Sequence, residues 1–172
     1  AFLIPNITIE VIDEDSNRQV KYHYEEGLTN FVEYINEDKN TLHKVLNFNG
    51  SKNNIEVNVA MQYTDTYNEN IVSFVNNVKT TDGGTHEVGF KTALTKVFNE
   101  YIKEFNLLKG KDSIDGTDAR EGLSVVISLK VPESLLQFEG QTKGKLGTPQ
   151  AKTAVEGIVY DKLSYFLLEN KD

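Results

Sequence analysis

Ile71-Val72-Ser73-Phe74-Val75-Asn76-Asn77-Val78 leads through Thr80-Thr81-Asp82-Gly83-Gly84 into Thr85-His86-Glu87, and at that junction the apolar period changes from two to 3.6. Ahead of it, residues 71 to 78 read as one β-strand. Beyond it, Phe90, Leu94, Val97, Phe98, Tyr101, Ile102 and Phe105 line one side of a long helix that starts at Thr85. The paired glycines let the backbone turn sharply, and Thr85 is a cap candidate. A strand running straight into a long amphipathic helix excludes an all-β chain and sets the search for further strands on either side.

Downstream, a Lys/Asp/Gly loop from Lys109 to Asp118 leads into Leu123 to Val131, whose apolar density predicts a buried strand that Pro132 stops. A last helix follows. Thr148 is its N-cap candidate, Pro149 its first residue, and Ala151, Val155, Ile158, Val159, Leu163, Phe166 and Leu167 its buried stripe, running to the end of the chain. Upstream, Ile55, Val57, Val59, Met61 and Tyr63 alternate with Glu56, Asn58, Ala60 and Gln62, which predicts a strand with one wetter face. It pairs with Val45 to Phe48 across a turn at Asn49-Gly50-Ser51. Leu28, Phe31, Val32 and Ile35 predict a short helix, and Ile7 to Asp13 with Val20 to Tyr24 predict an opening hairpin. The order is α+β, a mixed sheet with its helices packed on one face.

With 172 residues and 38% hydrophobic content the chain forms one domain with a real core. It has no cysteine, so disulfides, thiolate metal sites and thiol nucleophiles are excluded. No apolar run approaches the roughly 20 residues of a membrane span, and the expected address is cytoplasmic. The start lacks a Met and enters a strand pattern at once, so we expect a piece of a longer protein. The net charge of −8 argues against duplex binding, but residues 1 to 70 carry 5 Lys/Arg against 12 Asp/Glu, and the remainder 13 against 14. Any anion contact therefore belongs to the second half. Arg18 and Arg120 are the only arginines, too few for bidentate base readout.

Glu133 to Gly147 is a long polar connection between a buried strand and a capped helix, and connections of that length usually have work to do. It contains Gly140-Gln141-Thr142-Lys143-Gly144-Lys145-Leu146-Gly147, which fails the phosphate-loop pattern: three residues separate the glycines, and Leu146 stands where Ser or Thr is needed. Still, Gln141, the glycine-flanked ammonium of Lys143 and a helix start are parts that hold a terminal phosphate. Exposed Lys and Gly also make an ordinary solvated loop, and residue types alone leave both readings open.

Asp82 and Glu87 discourage an anion at the long helix, so a turn plus cap is the favoured reading there. In Asp118-Ala119-Arg120-Glu121-Gly122-Leu123, Arg120 beside two carboxylates reads as a structural ion pair. His23, His43 and His86 lack metal-ligand spacing, and we assign no metal site.

The segments Asp82 to Glu87, Asp118 to Leu123 and Gln141-Thr142-Lys143, in this order before a helix ending Phe166-Leu167-Leu168-Glu169-Asn170, resemble the transducer domain of bacterial type IIA topoisomerase B subunits. Phe31-Val32-Glu33-Tyr34 and Glu69-Asn70-Ile71 extend the resemblance over the whole chain, 1–172. Leu135-Leu136-Gln137-Phe138-Glu139-Gly140 is more similar to topoisomerase IV than to gyrase. The resemblance implies a fold like the second domain of ribosomal protein S5, with a left-handed βαβ crossover, contrary to the usual handedness. It implies that Gln141 and Lys143 contact the γ-phosphate of ATP held, with Mg2+, by an amino-terminal ATP-binding domain absent from this chain, Lys143 acting catalytically. It further implies a topoisomerase A subunit, duplex DNA and a second B subunit as partners, and no membrane. Lys91, Lys96 and Lys103 are candidates for a DNA-facing cavity, or form a solvated face with Glu100 and Glu104. The alternative is a standalone S5-like module that binds nucleic acid or protein without ATP chemistry.

Overall fold

The computed structural model describes residues 1–110 and 113–170. In chain order the elements are β1 (Thr8–Asp13), β2 (Arg18–His23), α1 (Leu28–Ile35), β3 (Leu46–Lys52), β4 (Ile55–Tyr63), β5 (Asn70–Val75), β6 (Val78–Lys79), α2 (Thr85–Phe105), α3 (Gly116–Arg120), β7 (Leu123–Lys130), β8 (Phe138–Glu139), β9 (Lys145–Leu146) and α4 (Pro149–Glu169). Five strands form a mixed sheet in the order β3-β4-β7-β5-β6, antiparallel except for the parallel β5–β7 pair. β7 is bonded at both edges and packed on both faces, with Val125 and Ile127 on one side and Val126 on the other, which is why its centre is apolar and only Lys130 at its end is exposed.

Helices α2 and α4 lie side by side on one face of this sheet. Phe90, Leu94 and Val97 of α2 and Val155, Ile158 and Val159 of α4 pack onto Val57, Val59, Met61, Val125 and Ile127. The two helices run parallel: Thr85 meets Thr148 at their starts, and Lys96 and Glu100 meet Tyr160 further along.

The expectation that all helices share one face is corrected by α1, whose Leu28 and Val32 pack on the opposite face against Ala60, Phe74 and Val126. The wetter face expected for β4 holds at Glu56, which is exposed, and Asn58, which is half-buried, but is covered further along, where Ala60 and Gln62 are buried. Alternation distinguishes two sides of a strand, but it does not say whether a short helix will close over the more polar one. Gln62 is kept satisfied there by accepting from Asn36 at 3.0 Å and donating to the His43 carbonyl at 2.7 Å.

One turn falls elsewhere than expected, and another interrupts an expected strand. Lys52 pairs with Ile55 and Val75 with Val78, so the two-residue turns are Asn53-Asn54 and Asn76-Asn77, all four with positive φ. Asparagine tolerates this conformation, and it twists a tight hairpin correctly. The Asn49-Gly50-Ser51 turn is thus replaced by continuous strand, with Gly50 opposite Val57; a Cβ on Gly50 would lie 3.0 Å from Ile158 of α4. The expected single strand from Ile71 to Val78 becomes the β5–β6 hairpin.

The expected Lys109–Asp118 loop ends in α3, capped by the Asp115 carboxylate, which accepts from the Thr117 and Asp118 amides at 2.8 and 2.9 Å; Lys111 and Asp112 of that loop lie outside the described residues. The last helix, expected to run to the chain end, stops at Glu169, and positions 171 and 172 are likewise outside. β1 and β2 form a separate ribbon whose residues are all exposed. Among the described residues no helix is long and apolar enough to cross a membrane.

Candidate functional site

The 133–147 connection is folded rather than irregular. A 3-10 turn at Glu133–Leu135 leads to the β8–β9 hairpin, in which Phe138 pairs with Leu146 and Glu139 with Lys145. β9 is held on its other side by the strand-to-helix junction. Asp82 N–H donates to the Gly144 carbonyl at 2.9 Å, Leu146 N–H donates to the Gly83 carbonyl at 3.0 Å, and Gly84 bridges to Leu146. Gly84 has φ 143, and a Cβ there would stand 2.4 Å from the Leu146 oxygen, so the chains approach this closely only because the residue is glycine. Two segments some 60 positions apart in sequence thus become one structural unit.

Both expected helix caps serve a different purpose. Gly84, not Thr85, is the cap of α2, and the Thr85 hydroxyl donates to the Thr148 carbonyl at 2.7 Å. Thr148 does hold the cap position of α4, with Pro149 following, but its buried hydroxyl donates to the Leu135 carbonyl at 2.8 Å and accepts from Gln137 N–H at 3.0 Å. These hydroxyls satisfy part-buried main-chain groups where the hairpin meets the helices. The hairpin root is therefore bonded to the beginnings of α2 and α4 together.

The tip differs. Gln141, Thr142 and Lys143 are exposed, Lys143 sits in the left-handed region at φ 55, and among the described residues no carboxylate pairs with its ammonium. Lys145, two residues on, is paired: its Nζ lies 2.7 Å from Glu139. The hydrogen bond and charge of Glu139, with a smaller contribution from Asp82, hold its pKa above the ordinary lysine value. Among the described residues the ammonium and the Gln141 side-chain amide at this exposed tip are donors without competing acceptors, suited chemically to phosphate oxygens.

The other lysine candidates are not gathered there. Lys91 is 4.0 Å from Glu69, Lys96 lies over the Tyr160 ring at 4.6 Å from its centroid, and Lys103 is exposed near the far end of α2. Lys91 and Lys96 thus lean to opposite sides of α2. Arg120 is in an ion pair, but its partner is Glu69 rather than its neighbours, and Asp118 is engaged in the α3 capping box. His23 contacts the Thr8 hydroxyl at 3.1 Å; His43 bridges the Lys44 carbonyl and Tyr63 N–H.

Behind the junction lies a buried chain of contacts that no sequence spacing announces. The Ser73 hydroxyl donates to Glu87 at 2.6 Å, Ser73 and Thr80 are 2.6 Å apart, and Thr80 is 3.0 Å from His86 Nε2. Since the one Ser73 proton goes to the carboxylate, Thr80 donates to Ser73 and accepts from His86 Nε2–H. His86 Nδ1 is then a buried acceptor without a partner among the described residues. Burial pushes the His86 pKa down to about 4, so the ring is neutral.

The family described as DNA gyrase B matches residues 27–172. The chain is 58% identical over 172 residues to the B subunit of DNA topoisomerase 4 from Staphylococcus aureus, covering 98% of this chain and 26% of that protein. It thus spans about a quarter of the length of the curated relatives it matches. Among solved structures, the 43K ATPase domain of Thermus thermophilus gyrase B in complex with an aminocoumarin superposes with TM-score 0.88 at 34% identity, over 99% of this chain and 46% of that one. The topoisomerase IV ATP-binding domain of Francisella tularensis in complex with a small-molecule inhibitor gives TM-score 0.80 at 25% identity, over 98% and 45%.

Proposed function

The chain belongs to the DNA gyrase B family, and on that premise we propose that it is the transducer domain of an ATP-dependent type IIA topoisomerase, the part of the B subunit that senses the γ-phosphate and relays it toward the DNA gate. The observation that carries this reading is the unpaired Lys143 at the tip of a hairpin whose root is bonded to the starts of two long parallel helices. The similarity to a topoisomerase 4 protein favours topoisomerase IV over gyrase, hence decatenation and relaxation. The mixed sheet with one parallel pair supports the S5-like assignment, to which the left-handed crossover belongs.

On this reading residues 1–172 form one functional unit and a further domain of the same cytoplasmic protein holds most of the nucleotide and its Mg2+. ATP supplies the phosphoryl group whose transfer to water drives the cycle. Lys143 places its ammonium against the terminal oxygens and stabilises the negative charge that grows there, while Gln141 donates its amide alongside. When the phosphate departs, Lys143 loses its counter-charge. The hairpin is then free to move, and α2 and α4 move with it as a packed pair toward the A subunit and the bound duplex. A second B subunit completes the enzyme.

The test is Lys143→Ala in the full-length protein. ATP turnover should fall about 100-fold, as when a single electrostatic donor is removed from a transition state, with an unchanged thermal midpoint. Ordinary turnover would overturn the proposal.

A further inference from the structure

Among the described residues Lys143 has no carboxylate partner, so its location depends on the backbone that carries it. That backbone is fixed on one side by the hairpin partner and on the other by Asp82 N–H and the Gly83 carbonyl. The junction is itself held from behind. Thr80 N–H bonds to the Ser73 carbonyl at 2.9 Å and Gly83 N–H to the Thr80 carbonyl at 3.1 Å. The Glu87 carboxylate lies against Gly83, with Oε2 2.7 Å from where a Cβ would be, while Oε1 takes the Ser73 proton. Ser73, Thr80 and His86 are buried, and Glu87 is half-buried.

We propose that Glu87 is a positioning residue for the phosphate-sensing lysine: through Ser73, Thr80 and His86 it locks the Thr80–Gly84 turn, and the turn fixes the point from which Lys143 projects. This rests on the function proposed above. Glu87 is on the first turn of α2, so the same carboxylate ties the lysine loop to the helix that moves with it. A carboxylate close to a helix amino terminus is favourably placed, which supports its hydrogen bond with Ser73. A shift of about 1 Å in a group acting on a reacting phosphate is enough to lower a rate substantially without touching the fold.

The experiment is a double-mutant cycle on ATP turnover in the full-length protein. Glu87→Ala should lower kcat about tenfold and leave the KM for ATP within about twofold, because the nucleotide is held mainly elsewhere. Amide exchange at Asp82 and Leu146 should quicken. Glu87→Gln, whose amide oxygen still accepts the Ser73 hydroxyl, should recover to within about threefold of the parent rate. In a Lys143→Ala background, Glu87→Ala should cost nothing more, since its effect passes through that lysine. Equal losses in both backgrounds, or none in either, overturn the inference. If Glu87→Ala lowers the thermal midpoint too far to assay, Ser73→Ala is judged by the same criteria. Ordinary turnover by Lys143→Ala alone would instead bring down the functional reading first, and the positioning role with it.

Discussion

Lys143 and Lys145 are two residues apart, flank the same glycine and carry the same charge, yet one ends in water and the other on Glu139. The difference is one of register. Lys145 is in β9, directly across from Glu139 in β8, so the ladder supplies its partner. Lys143 is on the turn, in a left-handed backbone conformation, outside the paired positions of the hairpin. The root of the hairpin uses its polar groups to bind the domain together, and the tip keeps its own available. Chemistry at a distance needs both: an unengaged cation and a stiff support beneath it.

The strongest way to break the contrast is to loosen the root. Gly84→Ala places a methyl 2.4 Å from the Leu146 carbonyl at a φ that L residues rarely adopt, and should cost about 4 kcal/mol or more in urea unfolding. A gentler route is acid. His86 ionises near pH 4 when folded, against an ordinary value of 6.5, so the unfolded chain holds more protons between those values. Stability is full above about pH 6.5 and falls as pH drops toward 4, by on the order of 3 kcal/mol. His86→Gln should flatten that limb in unfolding curves measured across the range. The smallest effect sharpens the contrast. Lys145→Ala should leave ATP turnover of the full-length protein within about threefold of the parent, where Lys143→Ala loses about 100-fold; equal losses would mean that the two lysines share the work.

Much of this architecture is legible in the chain. α1 from Leu28 to Ile35 and α2 from Thr85 to Phe105 fall where the 3.6 period places them, since a helix facing a core must repeat its apolar residues at that spacing. The hairpin turns are less so: Asn-Gly at 49–50 is the stronger turn signal by type, but the packing of Ile158 on Gly50 and the two Asn-Asn pairs put the turns elsewhere. Residue type marks Thr85 and Thr148 as caps. Their hydroxyls go instead to carbonyls in other segments, Thr85 to Thr148 and Thr148 to Leu135, which the fold brings within reach.

Local pattern, set by side-chain volume and period, determined by itself the helices α1, α2 and α4, most strands, the α+β class and the lysine segment as the place to look. Only the tertiary structure decided that the segment is a hairpin, that its root is bonded to a junction some 60 residues earlier, that α1 covers the second face, and that Ser73, Thr80, His86 and Glu87 form one chain of contacts. Sequence records the properties of neighbours along the chain. Hydrogen bonds between buried groups depend on which distant segments the core brings within about 3 Å of each other.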